Sequence, residues 1–194
     1  MTKKIMIICG SPRNNGNTMT IANWVASGAR EEGAEVEIVD AARLQYKVNG
    51  CTACMVCQKS DQFRCVIEDE ASPILARMPE QDVLVFATPV YFMGFSAQIK
   101  LMLDRMFSLF KIKGDGYRIA PGFEKTSFAL IASGSGDENG GLKLVEETMK
   151  AIADFIKKES KSFLVPLAPM ETGAIDSNTE LKAKAVEFGA ELTK

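Results

Sequence analysis

Four cysteines, Cys51, Cys54, Cys57 and Cys65, stand at the spacing C-x2-C-x2-C-x7-C. Packing does not explain three thiols at steps of three on one stretch. Buried free cysteines behave as small apolar residues and scatter through strand and helix cores; Cys9, inside an apolar run, reads as one of those. Thiolates are soft metal ligands. Structural zinc sites more often pair two separated C-x2-C units. A C-x2-C-x2-C run with a more distant fourth cysteine is the arrangement of 4Fe–4S clusters, here without the proline that follows the ferredoxin fourth cysteine. The expectation is a cluster on these four residues, with zinc as the alternative.

A second chemical stretch is Gly10 to Thr18, GSPRNNGNT, directly after the apolar run Ile5 to Cys9 and before a helical pattern. A strand, a polar loop and a helix start aim backbone N–H groups and the positive helix end at one spot, which suits an anion. Ser11, Asn17 and Thr18 can donate hydrogen bonds, and Arg13 can donate a charge-assisted one. Asn17 or Thr18 could instead be a plain N-cap, but the loop is long for a strand-to-helix connection, usually about 2–6 residues. No Gly-Lys-Ser/Thr follows and no G-x-G-x-x-G is present. Hydroxyls and amides suit a terminal monophosphate, as in FMN, met by Ser11, Arg13, Gly16, Asn17 and Thr18.

The third stretch is Thr88-Pro89-Val90-Tyr91-Phe92-Met93-Gly94. Two aromatics and a methionine beside a glycine can fold onto their own core. Exposed in a loop they would want a partner, and a flat aromatic ring fits, with Pro89 to Gly94 as its wall. Ser133 and Gly134, in the small-residue run Ser133-Gly134-Ser135-Gly136, would let backbone approach the same ring.

These stretches need strands to present them. Unbroken apolar runs at Ile5–Cys9, 82–88 and 127–133 suit strands covered on both faces. Weaker strands are expected at 35–39 and 162–167. Helical stripes follow Ile21-Trp24-Val25-Gly28-Ala29, closed by Gly33; Ile99-Met102-Leu103-Met106-Phe110 over 96–110; and Leu142-Val145-Met149-Ile152-Ile156. A short helix is expected at 70–78, a Gly-rich loop at 113–122, and a last helix opened by a Ser177–Glu180 capping box. Strands alternating with helices predict a doubly wound parallel α/β sheet in three layers, order 2-1-3-4-5. Ligands sit at strand carboxyl ends in such sheets, so loops 10–18, 88–95 and 133–141 are the ligand loops. The expectation is one domain over 1–194 with a cysteine-rich loop at about 47–68.

Composition closes off other chemistries. The 194 residues are 46% hydrophobic and 25% charged, with net charge −2, which gives no reason to expect nucleic acid or an acidic membrane. No run approaches the ~18 apolar residues of a membrane span. No signal-peptide pattern opens the chain, so the cytoplasm is expected, where disulfides are disfavoured. There is no histidine. That removes histidine acid–base catalysis, Ser-His-Asp triads and histidine metal ligands.

With these residues in view, GSPRNNGNT resembles the phosphate loop of the flavodoxin-like NADPH-dependent FMN reductases, and more narrowly of the iron–sulfur flavoproteins. TPVYF with the following SAQIKLMLDR resembles their isoalloxazine-binding loop and helix; Gly94-Phe95 departs from it where many relatives carry a polar residue. The cysteine run with CVIEDE resembles their compact cysteine motif. The resemblance spans nearly the whole chain. It implies a flavodoxin-like fold, FMN, a 4Fe–4S cluster and an oxidoreductase. NAD(P)H or reduced ferredoxin would give electrons to a quinone, a small oxidant or a carrier protein. It also implies a homodimer or homotetramer, which the surplus apolar surface of the 96–110 helix favours independently. The cofactor does the electron transfer, so no catalytic acid or base is assigned. A non-catalytic FMN and cluster carrier is the alternative.

Overall fold

The computed structural model describes residues 2–194. The apolar runs become the central strands β1 (Lys4–Cys9), β3 (Val83–Tyr91) and β7 (Ser127–Ser133), buried along almost their whole length. The flanking strands β2 (Glu35–Asp40) and β8 (Ser160–Val165) are only partly buried, as sheet edges are. The main sheet runs β2-β1-β3-β7-β8, all parallel. This is the expected 2-1-3-4-5 order once the strands are counted along the main sheet.

Successive side chains of a strand point to opposite faces, and the core divides accordingly. Ile5, Ile7, Val85, Ala129 and Ile131 pack on one side, with α1 (Asn17–Glu31) and α5 (Thr179–Glu191). Met6, Ile8, Phe86, Phe128 and Leu130 pack on the other, under α2 (Ala71–Arg77), α3 (Ala97–Arg105) and α4 (Lys143–Phe155). Three layers result, and β1, an interior strand of the sheet, carries the polar loop at its carboxyl end.

Four local expectations are corrected. Strand β3 does not stop at Thr88; it runs through Pro89 to Tyr91, turns at Phe92-Met93 and returns as β4 (Gly94–Phe95). Proline is tolerated there because β3 gives up one ladder donor near its end. The 96–110 helix ends at Arg105, tightens into a 3₁₀ turn over Met106–Leu109, and hands Phe110 to β5 (Phe110–Lys113). Apolar periodicity through Phe110 hid that change. The Gly-rich stretch is a hairpin, β5 with β6 (Gly116–Ile119), turning at Gly114-Asp115; a glycine–aspartate pair between paired runs is a hairpin signal. Helix α5 is capped by Asn178, whose side chain accepts from Leu181 N at 2.9 Å, not by Ser177.

Candidate functional site

The parallel register brings Cys9 beside Ala87, and Pro89 beside Ser133. Their loops meet in a cleft of about 240 Å³ lined by Ser11, Arg13, Gly16, Asn17, Thr18, Pro89, Val90, Tyr91, Ser133 and Gly134, with Ser135, Ala168, Pro169 and Met170. Ten of the expected residues therefore share one concavity. Phe92, Met93 and Gly94 form the turn beyond it and do not line it.

Local bonds hold this cleft open and shaped. Gly10 N donates to Ala87 O at 2.8 Å, and the Ser96 hydroxyl donates to Gly10 O at 2.8 Å. Arg43 donates to Pro12 O at 3.1 Å and to Asn14 Oδ1, bracing the loop from just past β2's carboxyl end. Thr18 and Ser133 share a buried hydroxyl–hydroxyl bond of 2.8 Å across the floor. At the N-cap of α1 stands Gly16, and no side chain caps the helix. A Cβ at Gly16 would come within 2.8 Å of Ser11 Oγ, closer than Cβ atoms sit. The uncapped helix start is an electropositive end facing a hydroxyl-rich loop.

The far wall is the segment after β8. Arg13 donates to Met170 O at 2.5 Å and Asn17 Nδ2 donates to Pro169 O at 2.6 Å, while Asn17 Oδ1 is buried without a partner. Sequence reasoning missed this wall. The signal available was the sheet order, which sets β8 beside β7 and so brings its carboxyl-end loop, with the apolar run Val165 to Met170, to the same edge.

The β3–β4 turn carries strain. Phe92 and Met93 have φ of 45° and 68°, the left-handed values that a two-residue hairpin turn of this kind usually gives to Gly or Asn. Such a conformation costs a bulky residue about 1–2 kcal/mol. Gly141, at φ 103°, lets the turn lie against the start of α4; a Cβ there would sit 2.8 Å from Met93 Cα. Phe92 is fully exposed, and Tyr91 and Met93 are also exposed. An apolar rim thus borders the cleft.

The four cysteines Cys51, Cys54, Cys57 and Cys65 line one small cavity of about 20 Å³ with Ile67, Arg105, Phe107 and Ser108 among its walls. Cys57 is buried, Cys65 half-buried, Cys51 and Cys54 exposed. All are free thiols. Among the described residues no three His, Cys, Asp or Glu side chains stand close enough to share a metal ion. The backbone between them coils tightly, with Ala53 and Met55 left-handed at φ 53° and 58°. A hydrogen bond from the Val56 amide holds the Cys54 thiol below the usual thiol range. Cys9, by contrast, is a core residue whose thiol burial pushes up to about 11.

Two buried cations brace this loop, and neither was expected from sequence. Arg105 at the end of α3 is buried and pairs with buried Asp69 at 2.7 Å, while also donating to Ile67 O at 3.0 Å. Burial would push the Asp69 carboxyl up. Hydrogen bonds from Arg105 and from the Lys47 and Ser72 amides outweigh it and hold that carboxyl below its usual range. Lys111 on β5 is buried beside Cys57. Gln58 completes the attachment, donating to Phe110 O and accepting from Ile112 N, both at 2.9 Å. A separate apolar cavity of about 660 Å³ lies between α3, the β5–β6 hairpin and α4, walled by Phe107, Phe110, Tyr117 and Phe155.

A family profile described as NADPH-dependent FMN reductase matches residues 3–162. An iron–sulfur flavoprotein of Methanosarcina thermophila is 33% identical over 157 residues, covering 79% of this chain and 72% of that one. An iron–sulfur flavoprotein of Methanocaldococcus jannaschii is 37% identical over 102 residues, and the match spans about half of each protein, 53% of this chain and 51% of that one. Among solved structures, the NAD(P)H:quinone oxidoreductase of Methanothermobacter marburgensis superposes with a TM-score of 0.75 at 13% identity, over 99% of this chain and 100% of that one. An FMN-dependent NADH-azoreductase of Bacillus anthracis, solved with FMN, gives 0.72 at 12% identity over the full length of both. At such identities the structural likeness is one of fold. The matched profile and the relatives covered over most of their length go further: the chain belongs to the NADPH-dependent FMN reductase family and groups with the iron–sulfur flavoproteins.

Proposed function

We propose that this flavin oxidoreductase holds FMN in the cleft and a 4Fe–4S cluster on Cys51, Cys54, Cys57 and Cys65. The observation that carries the FMN reading is the uncapped start of α1 set among Ser11, Thr18 and Arg13. Those groups suit a terminal phosphate. The cleft, about 240 Å³, falls below the ~300–1,000 Å³ usual for a ligand pocket. A molecule of FMN's size therefore reaches beyond it, toward the apolar rim of Tyr91, Phe92 and Met93. FMN, when bound, supplies the exchange of electrons between a two-electron donor and its acceptor. The protein's part is to bind and orient: Ser11 to Thr18 at the phosphate end, Pro89 to Gly94 and Ser133–Gly134 at the ring end.

The cluster reading rests on the donor set. Four thiols border one cavity, their backbone is coiled around Cys54, and two buried cations back them. The names of the related iron–sulfur flavoproteins agree with it. NAD(P)H or reduced ferredoxin would deliver electrons, and a quinone, a small oxidant or a carrier protein would accept them. A homodimer or homotetramer would cover the exposed rim, and no described helix is long and apolar enough to cross a membrane.

The test is a flavin spectrum with iron and acid-labile sulfide per chain after anaerobic purification, and Cys57→Ser as control. FMN with iron and sulfide, lost from the variant, is the expected result. Zinc without iron, or full iron retention in Cys57→Ser, would overturn the cluster. NADPH-driven reduction of ferricyanide or a quinone by the whole protein separates an enzyme from a carrier, and its absence would favour the carrier.

A further inference from the structure

Lys111 is 3% exposed. Its ammonium donates to Cys57 O and to Gln62 O, and the Phe63 ring centre lies 5.1 Å away. No carboxylate stands within ion-pair distance of it among the described residues. Asp61, which acts on it through space, is exposed and pairs with Arg118 at 3.3 Å. Two carbonyls answer hydrogen bonds but not a net charge, and an uncompensated buried cation is costly.

The surroundings sharpen the imbalance. The other buried cation at the cysteine loop, Arg105, has its carboxylate in Asp69. Lys111 is thus the surplus positive charge, and the neighbouring group able to turn negative is the Cys57 thiol with its three companions.

We propose that Lys111 is the built-in counter-charge of a thiolate-bound centre and sets that centre's reduction potential, as a positioning residue rather than a ligand. This rests on the reading that the four cysteines hold a cluster. One added electron makes such a centre one unit more negative. A fixed positive charge beside it favours the reduced form, and its removal favours the oxidised form. In the experiment the electron comes from a chemical reductant through mediators and returns to a chemical oxidant.

The variant that isolates charge is Lys111→Gln, which is neutral and keeps two N–H donors. Lys111→Arg keeps the charge. Full-length proteins are purified anaerobically, FMN, iron and sulfide are counted, and the midpoint of the reduced centre is followed by electron paramagnetic resonance. In Lys111→Gln the reduced-to-oxidised ratio at fixed potential should fall about tenfold, a midpoint about 59 mV lower for one electron. Lys111→Arg should keep the wild-type midpoint. Loss of iron from the Gln variant alone, with FMN retained, also supports a charge role. An unchanged midpoint in Lys111→Gln, or iron lost from both variants alike, would overturn it. Wild-type protein without iron would show earlier, before any variant, that the cluster reading itself has failed and the inference with it.

Discussion

The cleft at the ends of β1, β3 and β7 is walled by neutral hydroxyls, amides and one exposed arginine. The cysteine loop is braced by two buried cations and one buried carboxylate. The cleft is made by the sheet: three parallel strands end together, so their loops must meet whatever the loops contain. The cysteine loop belongs to the long connection from β2 to α2, and its cysteines stand well past the strand's end. It is fixed by long side chains reaching in from α3 and β5, at Arg105 and Lys111. A site of the first kind can lose a side chain and keep its shape. A site of the second kind loses its shape with its brace.

The largest test of that contrast is Asp69→Asn. It leaves Arg105 buried without a counter-charge, a defect of about 3–5 kcal/mol, read as a lowered urea midpoint. Ser11→Ala in the cleft should cost far less. Equal losses would erase the distinction between the two regions. The same carboxyl gives a pH signature. Because its folded-state value lies below the usual one, its contribution is fully present above the unfolded value, near pH 4, and is lost as pH falls through the folded value. Urea midpoints measured from pH 6 down to 2 should fall more steeply in the wild type than in Asp69→Asn.

Next in size is Arg13→Ala. Removing a charge-assisted hydrogen bond costs about 1.5–3 kcal/mol, so FMN should bind roughly tenfold to a hundredfold more weakly. Riboflavin, lacking the phosphate, should bind unchanged. Equal losses for both, by fluorescence titration, would move the phosphate away from the loop. The fold should stay intact, which is the cleft's half of the comparison.

The smallest effect is at the rim. Phe92 is fully exposed and left-handed, so Phe92→Gly gives up little burial and relieves strain. The apoprotein should gain about 1 kcal/mol. A gain in stability with a loss in flavin affinity would mean that the strain is kept for the ring. A loss of stability would mean that Phe92 is buried in an assembly.

What could be seen in the sequence follows the same division. Unbroken apolar runs announced β1, β3 and β7, and alternation with helices gave the order, because burial on both faces leaves a local trace. Ser11 to Thr18 and Pro89 to Tyr91 could be named because they follow those runs directly. The segment Ala168 to Met170 left only the indirect signal of the sheet order, since its partners Arg13 and Asn17 lie more than 150 positions away. The cysteines were visible by spacing alone. Arg105 and Lys111 carried no signal in the sequence, one inside the expected 96–110 helix and one just past it, because pairing with a distant loop leaves no period. The Phe92–Met93 turn was hidden for a different reason: it breaks the local rule that puts Gly or Asn there.

The distance in sequence between brace and loop also sets a schedule. Cys57 and Lys111 are 54 positions apart. At a synthesis rate of about 5–20 residues per second, the cysteines leave the ribosome roughly 3–11 seconds before the residue that clamps them. The sheet imposes a wait of its own, since β1 cannot take its second neighbour until β3 arrives. For those seconds the four thiols are an open, unbraced segment, free to be captured or oxidised. Until Arg105 and Lys111 emerge, the segment lacks the two cations that hold it in the finished fold.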